Sequence, residues 1–157
     1  MYRVLLADDE GIVRDSLKMI IEKNFPGECD IEMARTGRDV IEMAEEFRPD
    51  IVFMDIQMPG INGIEAIREI KKVNQTAEFI VLSAYDKFDY AKEAVNLGVL
   101  EYMTKPFEKT TICTVLKRAI GVIDSRRKKR SDDLLIREKM ETVTPIIDRK
   151  SSCRERV

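Results

Sequence analysis

Reactive side chains directly follow four short apolar runs of this 157-residue sequence. Asp8 and Asp9 follow the first run, Asp55 the second, Ser83 the third and Lys105 the fourth. Clustered aspartates repel one another, and a hard cation such as Mg²⁺ relieves that repulsion by taking oxygen ligands. An amine and a hydroxyl can bind the oxygens of a phosphate. A carboxylate nucleophile beside a metal is the arrangement that forms an aspartyl phosphate.

These residues can act together only if the fold brings the ends of the apolar runs to one place. The runs alternate with stretches of helical periodicity, which predicts five strand–helix units. Such alternation implies a parallel sheet with helices on both faces and continuously apolar, doubly buried strands. Ligands bind beyond the carboxyl ends of the strands in sheets of this kind. The predicted strands are 4–7, 31–34, 51–54, 79–82 and 100–104.

Residue types that are absent exclude several kinds of chemistry. The chain has no histidine, so it carries no histidine metal ligand, no histidine-activated nucleophile and no phosphohistidine of its own. Its cysteines, Cys29, Cys113 and Cys153, lie far apart and predict neither a disulfide framework nor a zinc site. No apolar run reaches the ~18 residues of a membrane span, and no secretion signal is evident. We therefore expect a cytoplasmic protein.

The reactive residues and their surroundings resemble the receiver domain of bacterial two-component response regulators. The resemblance covers about residues 2–123 and rests on dispersed signatures in the order of the family. It implies a flavodoxin-like α/β fold, with a doubly wound five-stranded parallel sheet of strand order 2-1-3-4-5 and helices on both faces. The signatures are Asp8-Asp9, Asp55 with Met58-Pro59-Gly60 behind it, Ser83-Ala84, Tyr102 and Lys105-Pro106.

The resemblance implies the residues that carry the phosphoryl chemistry. Asp55 accepts a phosphoryl group from a sensor histidine kinase, and Mg²⁺ is held by Asp8, Asp9, Asp55 and the backbone carbonyl of Gln57. Gln57 and Tyr85 flank the phosphoryl site and tune dephosphorylation by ordering or blocking water. Since no side chain nearby is an evident base, we expect slow self-dephosphorylation and a signalling switch rather than an enzyme.

Further residues connect the site to a switch by the same resemblance. Lys105 pairs with the phosphoryl group, Ser83 donates a hydrogen bond to it, and the small Ala84 leaves access to it. Tyr102 turns into the space that Ser83 vacates, whereas a half-buried strand residue without that role is the alternative. The Lys105–Pro106 peptide bond is cis by resemblance. We expect phosphorylation to drive homodimerisation through the face of helix 4, strand 5 and helix 5.

The sequence also bears on the output of the switch, that is, on the domain or partner that the receiver controls. Residues 83–91 resemble receivers that precede AraC-type helix-turn-helix domains, and a surface turn with incidental aromatics is the alternative. Only 34 residues follow Ile123, so we expect the output domain, and with it any DNA contact, to be absent from this chain. A stand-alone receiver or phosphorelay protein without DNA output is the alternative function. A haloacid-dehalogenase-like phosphohydrolase fits poorly, because the segment 55–57 lacks the second aspartate of that class.

The charge distribution divides the chain near Asp124. Residues 1–123 carry a net charge of −6 and residues 124–157 one of +4, so we predict a receiver domain followed by a charged helical linker or tail. The basic run 126–130 is typical of a solvated helix rather than a nucleic-acid site. Apolar residues at 136, 140, 143 and 147 have the spacing of a short coiled-coil seam, which Pro145 interrupts. A cloning-derived end is one origin that we consider for residues 151–157.

Overall fold

The computed structural model describes residues 1–84 and 88–147, and for 88–89 and 140–147 it describes the backbone alone. Strands and helices alternate along this part of the chain, as the periodicity predicts. The strands are β1 (Tyr2–Ala7), β2 (Cys29–Ala34), β3 (Ile51–Asp55), β4 (Glu78–Ser83) and β5 (Glu101–Thr104). The helices are α1 (Gly11–Asn24), α2 (Gly37–Phe47), α3 (Gly63–Val73), α4 (Phe88–Asn96) and α5 (Lys109–Ile147).

The strands form one parallel sheet in the order β2-β1-β3-β4-β5, which confirms the predicted flavodoxin-like topology. All residues of the central strand β3 are buried, because helices cover both faces of the sheet. The register pairs the last residue of β1, Ala7, with Met54, and the last residue of β3, Asp55, with Leu82. The carboxyl ends of neighbouring strands therefore meet at one edge.

Two apolar layers enclose the sheet. Side chains alternate between the faces of each strand, and one set packs with α2, α3 and α4 into a single buried cluster. The other set is buried on the opposite face, which α1 and the first turns of α5 cover. The first set includes Leu5, Val52, Met54, Phe79 and Val81, and the second includes Val4, Leu6, Phe53, Ile80 and Leu82 with Leu17, Ile21, Ile112 and Leu116 from the helices.

Local capping places the starts of α2 and α3 beside this edge. Thr36, a residue type favoured just before a helix, is the N-cap of α2, and its hydroxyl accepts a hydrogen bond from the backbone N–H of Asp39 at 3.1 Å. Asn62 and Glu65 form a capping box at the start of α3. These side chains satisfy backbone N–H groups that the first turn of each helix leaves without partners.

The chain divides into two compact units between Ile120 and Gly121, close to the charge boundary near Asp124. The described part of the second unit is helical as far as Ile147. The helix thus runs past Pro145, although this residue has no N–H to donate to the carbonyl four residues earlier. Residues 148–157, including Cys153, lie outside the described part. None of the helices in the described ranges is both long and apolar enough to cross a bilayer.

Candidate functional site

Four of the reactive residues predicted from the sequence meet at the carboxyl edge of the sheet. Asp8 directly follows β1, Asp55 ends β3, Ser83 ends β4 and Lys105 directly follows β5. The backbone N–H of Lys105 donates to the carbonyl of Ser83 at 2.8 Å, which ties these two strand ends together. Asp8, Asp55 and Ser83 are at most 2% exposed. The fold therefore concentrates two buried carboxylates, a hydroxyl and an ammonium group in one place.

Lys105 is the cation around which the acidic side chains gather. Its Nζ donates to Oδ2 of Asp8 at 2.7 Å, and it lies 3.5 Å from Oδ1 of Asp55 and 3.6 Å from Oε1 of Glu10. Burial alone would lower the pKa of Lys105. The hydrogen bond to Asp8 and the charges of Asp55 and Glu10 outweigh burial, and the pKa is raised. Lys105 therefore stays positively charged at neutral pH.

Asp55 has the least compensated charge of the site. Its buried Oδ1 has no hydrogen-bond partner among the described residues. Burial, reinforced by the negative charge of Asp8, raises the pKa of Asp55 from 3.8 to about 7. The charge of Lys105 and the backbone N–H of Gln57 oppose that shift without cancelling it. A cation beside Oδ1 would add positive charge to that of Lys105, which by itself does not cancel the shift.

The loop after β1 offers more acidic oxygens for such a cation. One carboxylate oxygen from each of Asp8, Asp9 and Glu10 lies within 4.8 Å of the other two. The unpartnered Oδ1 of Asp55 belongs to the same edge of the sheet. Hard divalent cations, Mg²⁺ among them, take carboxylate, carbonyl and water oxygens as ligands. The donor atoms present here fit that preference.

The other residues predicted for the site lie around this centre. Ala84 is exposed at the end of β4, and the peptide bond between Lys105 and Pro106 is cis. Tyr102 is half-buried on β5 and packs against the apolar cluster beneath α2, α3 and α4. Tyr85, predicted to tune dephosphorylation, lies outside the described residues.

Two side chains of this site received no role in the sequence analysis. Glu10 extends the acidic run after β1, and Arg14 lies in the first turns of α1. The guanidinium NH1 of Arg14 donates to the backbone carbonyl of Asp8 at 2.6 Å, and the backbone N–H of Glu10 donates to Oδ1 of Asp8 at 2.9 Å. The position of Glu10 directly after the aspartate pair could have predicted that it lies near the site. The local sequence pattern does not predict the hydrogen bond from Arg14 to a carbonyl six residues earlier.

Two glycines were also not predicted from the sequence to belong to the site. Both lie so close to the backbone of another segment that a side chain would not fit. A Cβ added to Gly63 would lie 2.2 Å from the carbonyl oxygen of Asp55, and one added to Gly37 would lie 2.2 Å from that of Ile61. The backbone N–H of Gly63 also donates to the carbonyl of Ile56 at 3.0 Å. The helix starts of α2 and α3 therefore hold the loop after β3 from two sides and fix the backbone of Asp55.

A match to a protein-family model over most of the chain decides the family. Residues 4–117 match the family model of the response regulator receiver domain. The chain belongs to this family. The family predicted from the dispersed signatures is thereby confirmed.

Known relatives of the receiver include proteins of very different length. This chain is 39% identical over 132 residues to the uncharacterized transcriptional regulatory protein YesN of Bacillus subtilis. The match covers 82% of this chain but 36% of YesN. The chain is 40% identical over 119 residues to the chemotaxis protein CheY of Thermotoga maritima, covering 74% of this chain and 95% of CheY. The receiver domain of AraT, a response regulator from Geobacillus stearothermophilus, superposes with a TM-score of 0.74 at 28% identity, covering 80% of this chain and 98% of that one.

The raised pKa of Asp55 predicts a pH-dependent stability in metal-free buffer. Because the folded state holds this proton up to about pH 7 and the unfolded state only to about pH 4, stability is lost as the pH rises through that window. In urea denaturation, the free energy of unfolding of Asp55→Asn should therefore exceed that of the wild type by about 1–3 kcal/mol at pH 8. At pH 4.5 the difference should be much smaller. Asp15→Asn on the exposed side of α1 is the control, and equal pH profiles for wild type and Asp55→Asn would contradict the argument.

The close approach of Gly63 to Asp55 predicts that even a methyl group is harmful there. Gly63→Ala should lower the free energy of unfolding by about 1–3 kcal/mol, because backbone atoms must move apart. The same variant should bind Mg²⁺ more weakly, since Asp55 moves with its carbonyl. Gly121→Ala is the matched control, because its Cβ would meet nothing within 4 Å and alanine favours a helix. Wild-type Mg²⁺ affinity in Gly63→Ala, measured by calorimetry, would refute the positioning role.

Proposed function

We propose that this receiver takes a phosphoryl group onto Asp55 from the phosphohistidine of a separate sensor histidine kinase. The observation that carries the proposal is the buried, unpartnered Oδ1 of Asp55, 3.5 Å from the ammonium group of Lys105. A carboxylate oxygen of Asp55 attacks phosphorus and forms an O–P bond, while the N–P bond breaks and the imidazole leaves with the electron pair. Since the chain has no histidine, the donor is another molecule.

Asp8, Asp9, Asp55 and the backbone carbonyl of Gln57 would hold Mg²⁺ in this site. When bound, the cation neutralises charge on the phosphoryl oxygens. Asp8 also orients Lys105 through their 2.7 Å hydrogen bond. The ammonium group is thereby kept beside Asp55, where the proposed role requires it to pair with a phosphoryl oxygen.

The remaining residues of the site would govern binding and lifetime of the phosphoryl group. The hydroxyl of Ser83 donates to a phosphoryl oxygen, and the small Ala84 leaves room for the donor to approach. Gln57 and Tyr85 order or block water and thereby set the rate of hydrolysis. In this proposal the protein is a signalling switch whose own chemistry is limited to self-phosphorylation and slow self-dephosphorylation, and it is not an enzyme.

Phosphorylation should occur at Asp55 alone and should require a divalent cation. Incubated with acetyl phosphate and Mg²⁺, the wild type should gain the mass of one phosphoryl group, with the adduct mapped to Asp55. Chelation of the metal and Asp55→Asn should each abolish the gain, because the first removes the charge neutralisation and the second the nucleophile. Asp30→Asn, on the exposed side of β2, is the matched control. Undiminished labelling of Asp55→Asn would show that the nucleophile is another residue.

We propose that the switch runs from the phosphoryl group through Ser83 to Tyr102. Ser83 lies at the end of β4 and pairs in register with Thr104 of β5, while Tyr102 pairs with Val81. Movement of Ser83 towards the phosphoryl group would free space that the ring of Tyr102 can fill. The surface of α4, β5 and α5 would change with it, and homodimerisation through that face is the proposed consequence.

Transcription control through an output domain of the AraC type is the proposed readout. This chain matches 36% of the length of YesN, whose name describes a transcriptional regulatory protein. Contact with DNA would then be made only by that output domain and not by the receiver. We further propose that the protein acts in the cytoplasm without membrane contact.

A second candidate function is a stand-alone receiver that acts by protein–protein binding. It is favoured by the coverage of 95% of CheY of Thermotoga maritima, whose name describes a chemotaxis protein. The two candidates share the phosphoryl site and differ in what the changed surface of the receiver contacts. The full reading frame distinguishes them, because transcription control needs a helix-turn-helix domain.

The switch proposal predicts a dimer that depends on Ser83. Beryllofluoride, a phosphoryl mimic, should shift the wild type towards dimers in sedimentation and change the NMR environment of Tyr102. Ser83→Ala should reduce the shift in the dimerisation constant by about tenfold, because a hydrogen bond to a charged group is lost. Ser16→Ala, on the exposed side of α1, should behave as the wild type. Mimic binding without a change in either observable would contradict the proposed route.

A further inference from the structure

Glu10 places a carboxylate at the mouth of the acidic site. It is the N-cap residue of α1, yet its side chain makes no capping hydrogen bond. Its side chain is 58% exposed, and its Oε1 lies 3.6 Å from Nζ of Lys105. The carboxylate oxygens of Glu10, Asp8 and Asp9 also lie within 4.8 Å of one another. The side chain is thus turned towards the site rather than towards its own helix.

The backbone around Glu10 is held in place from both directions. Its N–H donates to Oδ1 of Asp8 at 2.9 Å, and its carbonyl accepts from the N–H groups of Val13 and Arg14 at 3.2 Å each. Arg14 in turn donates to the backbone carbonyl of Asp8 at 2.6 Å. The backbone of the loop is therefore held by its own contacts, which fix the point from which the Glu10 side chain extends.

The charges of the site are unbalanced even with Lys105 in place. Asp8, Asp55 and Glu10 all lie within ion-pair distance of its single ammonium group, and Asp9 adds a further carboxylate. The independent sign of a cation site is the buried Oδ1 of Asp55, which no described donor satisfies. A divalent cation at this edge would be attracted by every one of these carboxylates.

We propose that Glu10 is a third loop carboxylate of the divalent cation site and strengthens cation binding there. Mg²⁺ keeps several water ligands in proteins and uses few direct carboxylates, so an exposed carboxylate at the mouth suits a water-mediated contact. This inference rests on the proposed Mg²⁺ site and adds a residue to its acidic set. Glu10 is a positioning and charge-supplying residue, and it forms no bond to the phosphoryl group.

The competing interpretation is that Glu10 serves only Lys105. In that case Glu10 merely steadies the ammonium group from the solvent side, and removing its charge leaves Mg²⁺ affinity unchanged. The two interpretations therefore predict different results for the same measurement. Charge removal without loss of volume, Glu10→Gln, separates them.

Mg²⁺ titration by calorimetry and by NMR of the β1–α1 loop tests the proposal on the full chain. Glu10→Gln should weaken Mg²⁺ binding about three- to tenfold at 0.1 M salt, and the difference should shrink at 1 M salt. Glu10→Asp, which keeps the charge, should recover most of the loss. Glu22→Gln, on the same helix and about 18 Å further along its axis, is the matched control. Asp9→Ala should have a larger effect than Glu10→Gln, since it removes a proposed direct ligand.

The outcomes separate this inference from the function on which it rests. Mg²⁺ binding by the wild type, with Glu10→Gln equal to Glu22→Gln or tighter, would overturn the role of Glu10 and leave the proposed phosphoryl site standing. No Mg²⁺ binding by the wild type would overturn both. Weaker binding by Glu10→Gln that Glu10→Asp fails to restore would show that charge is not the cause, and would overturn the inference as well.

Discussion

The rest of the site depends on the compensation of several carboxylates by one ammonium group. Lys105 donates to Asp8 and lies within 3.6 Å of Asp55 and Glu10. Acidic side chains repel one another strongly at a buried edge, where water screens their charges poorly. One positive charge offsets only part of that repulsion. Burial, reinforced by the residual negative charge, opposes ionisation of Asp55, and the same negative charge favours binding of a divalent cation.

A rigid frame is needed to keep like charges this close. The parallel sheet supplies it, because neighbouring strands end at the same edge and their hydrogen bonds fix the register. Gly63 and Gly37 complete the frame by allowing two helix starts to approach the loop after β3 more closely than any side chain would permit. Stability elsewhere in the core therefore balances an electrostatically unfavourable arrangement at the edge.

The same proximity gives a local chemical event a route through the molecule. In the proposed function, a phosphoryl group on Asp55 adds negative charge and acceptor oxygens beside Lys105 and Ser83. Ser83 ends β4, which pairs with β5, and β5 leads into Lys105 and then α5. Contacts that differ between the two charge states of the site can shift the balance between conformations of this edge.

Local patterns in the sequence determined the alternation of strands and helices, the Thr36 cap and the reactive residue at each strand end. The resemblance of the dispersed signatures added the strand order and the proposed roles of Asp55 and Lys105. Only the tertiary structure decided that Oδ1 of Asp55 lacks a partner, that Glu10 approaches Lys105, and that Gly63 touches the backbone of Asp55. These features are distances between groups on different elements. Strand order, register and helix packing set such distances, and the periodicity of a single segment carries no information about them.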